Sequence, residues 1–168
     1  MKTLYLKRIV LLFLMLASLQ VQASITKRDK KWDNQHKILI YTFDINKEIG
    51  PAVWRITQQS FAEALSLKAD LILIHMNTYG GLLDAADSIR TKIINSSVPV
   101  YVFIDNNAAS AGALISIAAD RIYMRTGASI GAATVVNQTG EAMPDKYQSF
   151  MRSMMRSTAE SHGKDTVI

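Results

Sequence analysis

The sequence predicts an α/β fold of repeated βαβ units around a mainly parallel sheet. Three observations point to it. Short apolar runs rich in Ile, Val and Leu alternate along the chain with longer stretches of helical periodicity. The runs are almost continuously apolar, as strands covered on both faces are. Two glycine-containing turns, NTYGG and NNAASAG, each follow an apolar run and precede a helical stretch, which puts both at the sheet edge where sites form.

Residues 38–44 (ILIYTFD) read as the first strand. GPAVWRITQQSFAEALSLKAD reads as a helix, with Pro51 in its first turn and Val53, Trp54, Phe61 and Leu65 facing the core. LILIHMN is a second, fully buried strand, and GGLLDAADSIRTKIINSS an amphipathic helix with Leu82, Ala86, Ile89 and Ile93 on one stripe. VPVYVFID is the third strand, the run after Ser110 a buried helix, RIYM a short fourth strand, and PDKYQSFMRSMMRSTAES a last amphipathic helix. No internal repeat or low-complexity tract interrupts the series. With 168 residues, 49% of them apolar, the chain can bury one sizeable core and is expected to form one domain over residues 37–168.

Ahead of that domain, MKTLYLKRIVLLFLMLASLQVQAS has a basic start, an apolar run and the small-residue site Val21-Gln22-Ala23, the pattern of a secretory signal peptide over residues 1–23. The run is shorter than the roughly 20 apolar residues a comfortable membrane span needs. The polar stretch 24–36 reads as a flexible lead-in. Three of the 19 Lys and Arg lie in the leader, at Lys2, Lys7 and Arg8, leaving 16 against 14 acidic residues. That scattered, nearly even balance gives no footing for nucleic-acid binding. The absence of cysteine excludes a disulfide framework, a thiolate metal site and a cysteine nucleophile, and it suits an exported protein without disulfides.

Ser110, between alanines at the mouth of a helix, reads either as a nucleophile or as an ordinary N-cap. A nucleophile needs a base and donors for the oxyanion. The histidines are poorly placed for that work: His36 in the lead-in, His75 within a strand expected to bury it as a core histidine, and His162 near the end. Lys146 stands directly after Pro144-Asp145 in the first turn of the last helix, where the helix dipole opposes a positive charge and favours the neutral amine of a general base. A solvated surface lysine is the plain alternative. Gly80-Gly81 lets a substrate approach the backbone without a Cβ in the way, and the Ala111 N–H lies beside the hydroxyl at the helix start.

In order and spacing, NTYGG, VPVYVFIDNNAASAGALISIAADRIYM, GASIGAA and PDKYQSF resemble the serine protease domain of NfeD-type membrane proteases, the stomatin-specific proteases of the Clp protease and signal peptide peptidase superfamily. The resemblance runs over most of the chain after the leader. It implies a Clp protease/crotonase-like fold, with Ser110 as nucleophile, Lys146 as base, and Gly80, Gly81 and Ala111 around the oxyanion. It also implies a substrate groove beside TGASIGAATVV, involving Tyr79, Ser129, Ile130 and Gly131; an ordinary glycine-punctuated connection is the plain alternative, and the turn composition of the following NQTGEAMP suits a mobile flap. Tyr79 stands where the family usually carries proline.

The expected activity is therefore a serine endopeptidase with a Ser-Lys dyad that cleaves hydrophobic segments of membrane-associated proteins, with a stomatin-like protein as possible partner and no metal or organic cofactor. The rival readings are a signal-peptide peptidase, whose base comes from upstream of the serine, and a silent scaffold module. Upstream, Lys47 and Lys68 are not expected in a turn near the glycines. The leader places the protein on the periplasmic or extracytoplasmic face of the membrane, and family members continue into membrane spans, so this chain is expected to be the N-terminal part of a longer protein. Phe150, Met151, Met154 and Met155 give the last helix more apolar surface than it needs to bury, which suggests a homo-oligomer.

Overall fold

The computed structural model describes residues 37–131, 133–137 and 139–164, so the leader and the lead-in expected over 1–36 lie outside the described residues. In chain order the elements are β1 (Ile40–Ile45), α1 (Pro51–Ser66), β2 (Leu71–Thr78), α2 (Leu83–Ile94), β3 (Val100–Ala109), α3 (Ala111–Ile117), β4 (Arg121–Met124), β5 (Ser129–Gly131) and α4 (Asp145–Ser161). The sheet runs β1-β2-β3-β4, and β5 continues the line of β4 along the same edge of β3. Every strand pairing is parallel. The α/β class read from the alternation of runs is the one the chain adopts.

The strand order has no reversal, and right-handed crossovers that all step the same way lay their helices on one face of the sheet. Ile45, Ile74, Met76, Val102 and Ile104 point into that face and pack with Phe61, Ile89, Ile93, Leu114 and Ile115. α4 joins the same layer: Met151 and Met154 are buried in the core, and the Arg90 guanidinium of α2 donates to Thr158 Oγ1 at 3.2 Å.

The other face of the sheet is not covered by these helices, which corrects the expectation that the strands are buried on both sides. His75 is accordingly no core histidine. Its side chain is 51% exposed, with Nδ1 3.8 Å from Asp44 Oδ1 and its ring tilted against Phe103. Tyr101 and Tyr123 meet beside it, and Arg125 pairs with Asp105. A continuous apolar run cannot by itself tell a strand covered on two faces from one covered on one.

Smaller differences have local causes. In α1 the inward stripe runs through Val53, Thr57, Phe61 and Ala64, with the Thr57 hydroxyl satisfied by the Val53 carbonyl at 2.9 Å. Leu65 lies one step off that stripe and is exposed, and Trp54 is half-buried. Leu82 precedes α2 as its N-cap residue and is exposed, so the stripe there is Ala85, Ala86, Ile89 and Ile93. β3 extends through Asn106 and Asn107 to Ala109, because β5 pairs with its last three residues and Thr78 pairs with Ala108 across a register shift. Of Phe150, Met151, Met154 and Met155 on α4, Met151 and Met154 are core and Met155 packs against it, while Phe150 is exposed.

Candidate active site

The carboxyl ends of β2 and β3 meet at one edge of the sheet, and the two turns read from the sequence meet there too. Ser110 follows β3 with φ 52° and ψ −114°, a left-handed conformation that non-glycine residues seldom take. It occupies the N-cap position of α3, yet its side chain makes no cap hydrogen bond. The plain N-cap reading therefore does not describe it: the hydroxyl is free of the helix, on a sharp strand-to-helix turn that lifts it clear of the backbone. Such strain costs about 1–3 kcal/mol and persists where surrounding contacts impose it. Here the Ser110 N–H donates to the Gly131 carbonyl of β5 at 2.9 Å, and its own carbonyl accepts from Ala113 at 3.0 Å.

Gly80 lies against this serine. A Cβ there would stand 2.8 Å from the Ser110 Cβ and 3.3 Å from its Oγ, and φ is +116°. Gly81, at φ +151°, is held as tightly from the other side, since its Cβ would meet the Ile49 carbonyl oxygen at 2.1 Å. The turn is pinned to the loop after β1 by two bonds, Ile49 N–H to the Gly80 carbonyl and Leu82 N–H to the Ile49 carbonyl, each 2.8 Å. Thr78 completes the clamp. Its hydroxyl donates to the Lys47 carbonyl at 2.8 Å and accepts the Gly80 N–H at 3.1 Å.

These bonds fix which N–H groups can face a substrate. A trans peptide points its N–H opposite its C=O. With the Gly80 carbonyl turned to Ile49, the Gly81 N–H is directed away from that loop, toward the β3 side of the edge. The Ser110 carbonyl points into α3, so the Ala111 N–H points out of the helix start. Gly80 itself offers space rather than a donor, because its N–H is taken by Thr78. Gly112 lets α3 pack close behind, where a Cβ would come within 2.7 Å of Thr78 Cγ2.

Around this centre, Tyr79 is 82% exposed, Ile130 is exposed, and the Ser129 hydroxyl bonds the Asn107 side chain at 3.0 Å. Lys146 stands in the first turn of α4, exposed, with Nζ 5.0 Å from the Tyr147 ring centroid. Among the described residues it makes no hydrogen bond to Ser110 Oγ. Val135, in the segment between β5 and α4, is gripped by the side chain of Gln148, two residues beyond Lys146. Val135 and Met143 come together, Met143 N–H donating to the Val135 carbonyl at 2.9 Å, and Asn137 Oδ1 accepts the Thr139 and Glu141 N–H groups. The Asn137 amide and the Thr139 hydroxyl hold the Glu141 carboxyl below its ordinary range, so their contribution is present above that range and lost as pH falls through the lowered value.

The two histidines among the described residues, His75 and His162, lie away from Ser110. His75 is on the open sheet face. His162 is nearly buried, with Nε2 3.8 Å from Asp120 Oδ1. Asp120 bonds Val100 at the start of β3, the opposite end of the strand from Ser110. What the sequence did not signal is Lys47, whose carbonyl is bonded into the glycine turn, and Gln148, a polar residue indistinguishable from its solvated neighbours on the helix.

A helix-backed parallel sheet with a strained serine beside a glycine turn defines a Clp protease-like α/β domain. The chain belongs to the NfeD1b N-terminal domain family, which matches residues 39–168. It is 33% identical over 129 residues to the membrane protein NfeD1b of Bacillus subtilis (strain 168), covering 77% of this chain and 30% of that one. It is 28% identical over 140 residues to the membrane-bound protease PH1510 of Pyrococcus horikoshii, covering 79% and 32%. The chain thus spans about a third of the length of these curated relatives. A lysine-to-alanine variant of 1510-N, a membrane-bound stomatin-specific protease, solved with a substrate peptide, matches at TM-score 0.73 and 27% identity over 77% of this chain and 63% of that one. ClpP1 from Listeria monocytogenes matches in fold, at TM-score 0.57 and 23% identity over 75% of this chain and 74% of that one. Both curated relatives are named as membrane proteins, and among the described residues no helix is long and apolar enough to cross a membrane.

Proposed function

We propose that this domain is a serine endopeptidase in which Ser110 is the nucleophile and Lys146 the general base. Ser110 Oγ attacks the scissile carbonyl carbon while its proton passes to the neutral Lys146 amine. The Gly81 and Ala111 N–H groups receive the oxyanion. The lysine ammonium then protonates the departing amine, leaving an acyl-serine that water hydrolyses with Lys146 again as base. The observation that carries this reading is the Ser110 hydroxyl, held in a strained turn without a capping bond, against Gly80.

The substrate is an extended peptide laid as a strand between the Gly80-Gly81 turn and β5, with Tyr79, Ser129, Ile130 and Gly131 along its path. Exposed Tyr79, Leu82 and Ile130 favour apolar side chains, which suits hydrophobic segments of membrane-associated proteins. Kinship with a protease specific for a stomatin homologue makes a stomatin-like protein the partner to try first. The signal-peptide pattern of residues 1–23 supports action on the extracytoplasmic face. The test is labelling of the purified chain by a fluorophosphonate and cleavage of stomatin-derived apolar peptides, both absent in Ser110→Ala. A wild-type chain that neither labels nor cleaves, yet binds such a peptide, is a scaffold.

One observation favours a second reading. The Lys47 backbone is bonded to Thr78, next to the glycine turn, so an upstream lysine base of the signal-peptide peptidase kind is within the site's neighbourhood. Lys47→Met and Lys146→Met separate the two, since only loss of the base cuts labelling to a slow residual rate.

A further inference from the structure

We propose that Gln148 is a positioning residue that holds the Lys146-bearing turn of α4 to Val135, in the segment between β5 and α4; the inference rests on the Ser-Lys reading above. α4 starts without a capping side chain, because its N-cap residue is Pro144 and no side-chain bond closes the turn. The Gln148 amide fixes that end instead. Its Oε1 accepts the Val135 N–H at 2.9 Å, and its Nε2 donates to the Val135 carbonyl at 2.7 Å and to the Met143 carbonyl at 3.0 Å. Val135 and Met143 are themselves bonded, so the side chain closes a ring with both. Both amide protons are in use, together with the carbonyl oxygen. No other uncharged side chain of this length supplies one acceptor and two donors.

The geometry connects two parts of the site that otherwise belong to different elements. Gly131 accepts the Ser110 N–H, and Val135, four residues on, is read by Gln148 much as a neighbouring strand would read it. Gln148 sits half a turn beyond Lys146 on the same helix. A base on a long flexible side chain works only if its helix turn is placed, and misplacement by about 1 Å can cost two orders of magnitude in rate. Gln148→Glu is the informative change. It keeps the length and the acceptor but sets a carboxylate against two carbonyl oxygens.

The test is a double-mutant cycle in the full 168-residue chain, reading the rate of fluorophosphonate labelling of Ser110, with circular dichroism to confirm folding. Gln148→Glu should slow labelling by about tenfold or more when Lys146 is present. In the Lys146→Met background the same change should alter the residual rate by less than about twofold, because the effect passes through the lysine. Equal losses in both backgrounds, or no loss with Lys146 present, overturn the inference while leaving the dyad standing. Wild-type labelling speed in Lys146→Met alone overturns the dyad itself, and the inference with it. Gln148→Leu repeats the cycle should the glutamate variant fail to fold. Amide exchange at Val135 in the wild-type chain is a check that needs no variant: protection is expected, and exchange as fast as an open chain overturns the clamp.

Discussion

Gly80 and Ser110 touch across the sheet edge: a Cβ on the glycine would lie 2.8 Å from the Cβ of the serine. The neighbouring glycine is confined by something else, the Ile49 backbone at 2.1 Å. The two glycines should therefore fail differently. Gly80→Ala crowds the nucleophile and should abolish labelling of Ser110. Gly81→Ala forces the loop after β1 away and should lower the thermal midpoint, at a cost of about 1–3 kcal/mol or more. Denaturation curves with labelling at 25 °C check both, and an unaltered midpoint in Gly81→Ala would refute the confinement.

Ser110 bears its strain in place of a residue better suited to it. Glycine reaches φ 52° and ψ −114° without steric cost, at an entropic disadvantage of about 0.5–1 kcal/mol. Relief of about 1–3 kcal/mol exceeds that, so Ser110→Gly should be inactive and more stable by about 1 kcal/mol. Ser110→Ala keeps the Cβ and the strain, and should be inactive at unchanged stability. Equal denaturation midpoints for Ser110→Gly and Ser110→Ala would mean that the turn is unstrained.

Much of this site could be read before any coordinates, because serine, glycines and helix start are local features and each strand and helix carries its own period. The strain at Ser110 could not: nothing in NNAASAG distinguishes a serine that caps from one that does not, and the bond that holds its backbone comes from Gly131, at the end of β5. β5 itself is three residues with a single apolar side chain, below what periodicity resolves. His75 departs from the expected core position because alternation of burial across a sheet depends on which face the crossovers cover. Lys47 and Gln148 are joined to Thr78 and Val135 by bonds across 31 and 13 positions, and no local pattern marks such contacts.

The identity of the base has a pH signature. A general base acts only when deprotonated, and a lysine's ordinary value is about 10.4 against about 6.5 for histidine. With His75 on the open face and His162 at the far end of β3, labelling and peptide cleavage should keep rising from about pH 7 toward pH 10. Rates measured across that range in Lys146→Met should lose the rise. A profile already level near pH 7 would point to histidine and away from both lysines.

Assembly is best tested at Phe150 rather than at the buried methionines. Met154 is 9% exposed and forms part of the core, so Met154→Ala should cost about 2–5 kcal/mol and any loss of activity would reflect unfolding. Phe150 is 57% exposed and stands three residues from Tyr147, also exposed, so the two make an apolar stripe on the outside of the helix that carries Lys146. A homo-oligomer that buries this stripe would order the first turn of α4. Phe150→Glu should then leave the chain folded by circular dichroism, since the side chain is largely exposed, yet convert a dimer or larger species to monomer in sedimentation. Labelling of Ser110 should slow in that monomer. If the wild-type chain sediments as a monomer and labels at full rate, assembly plays no part in activating the serine, and the stripe is ordinary surface.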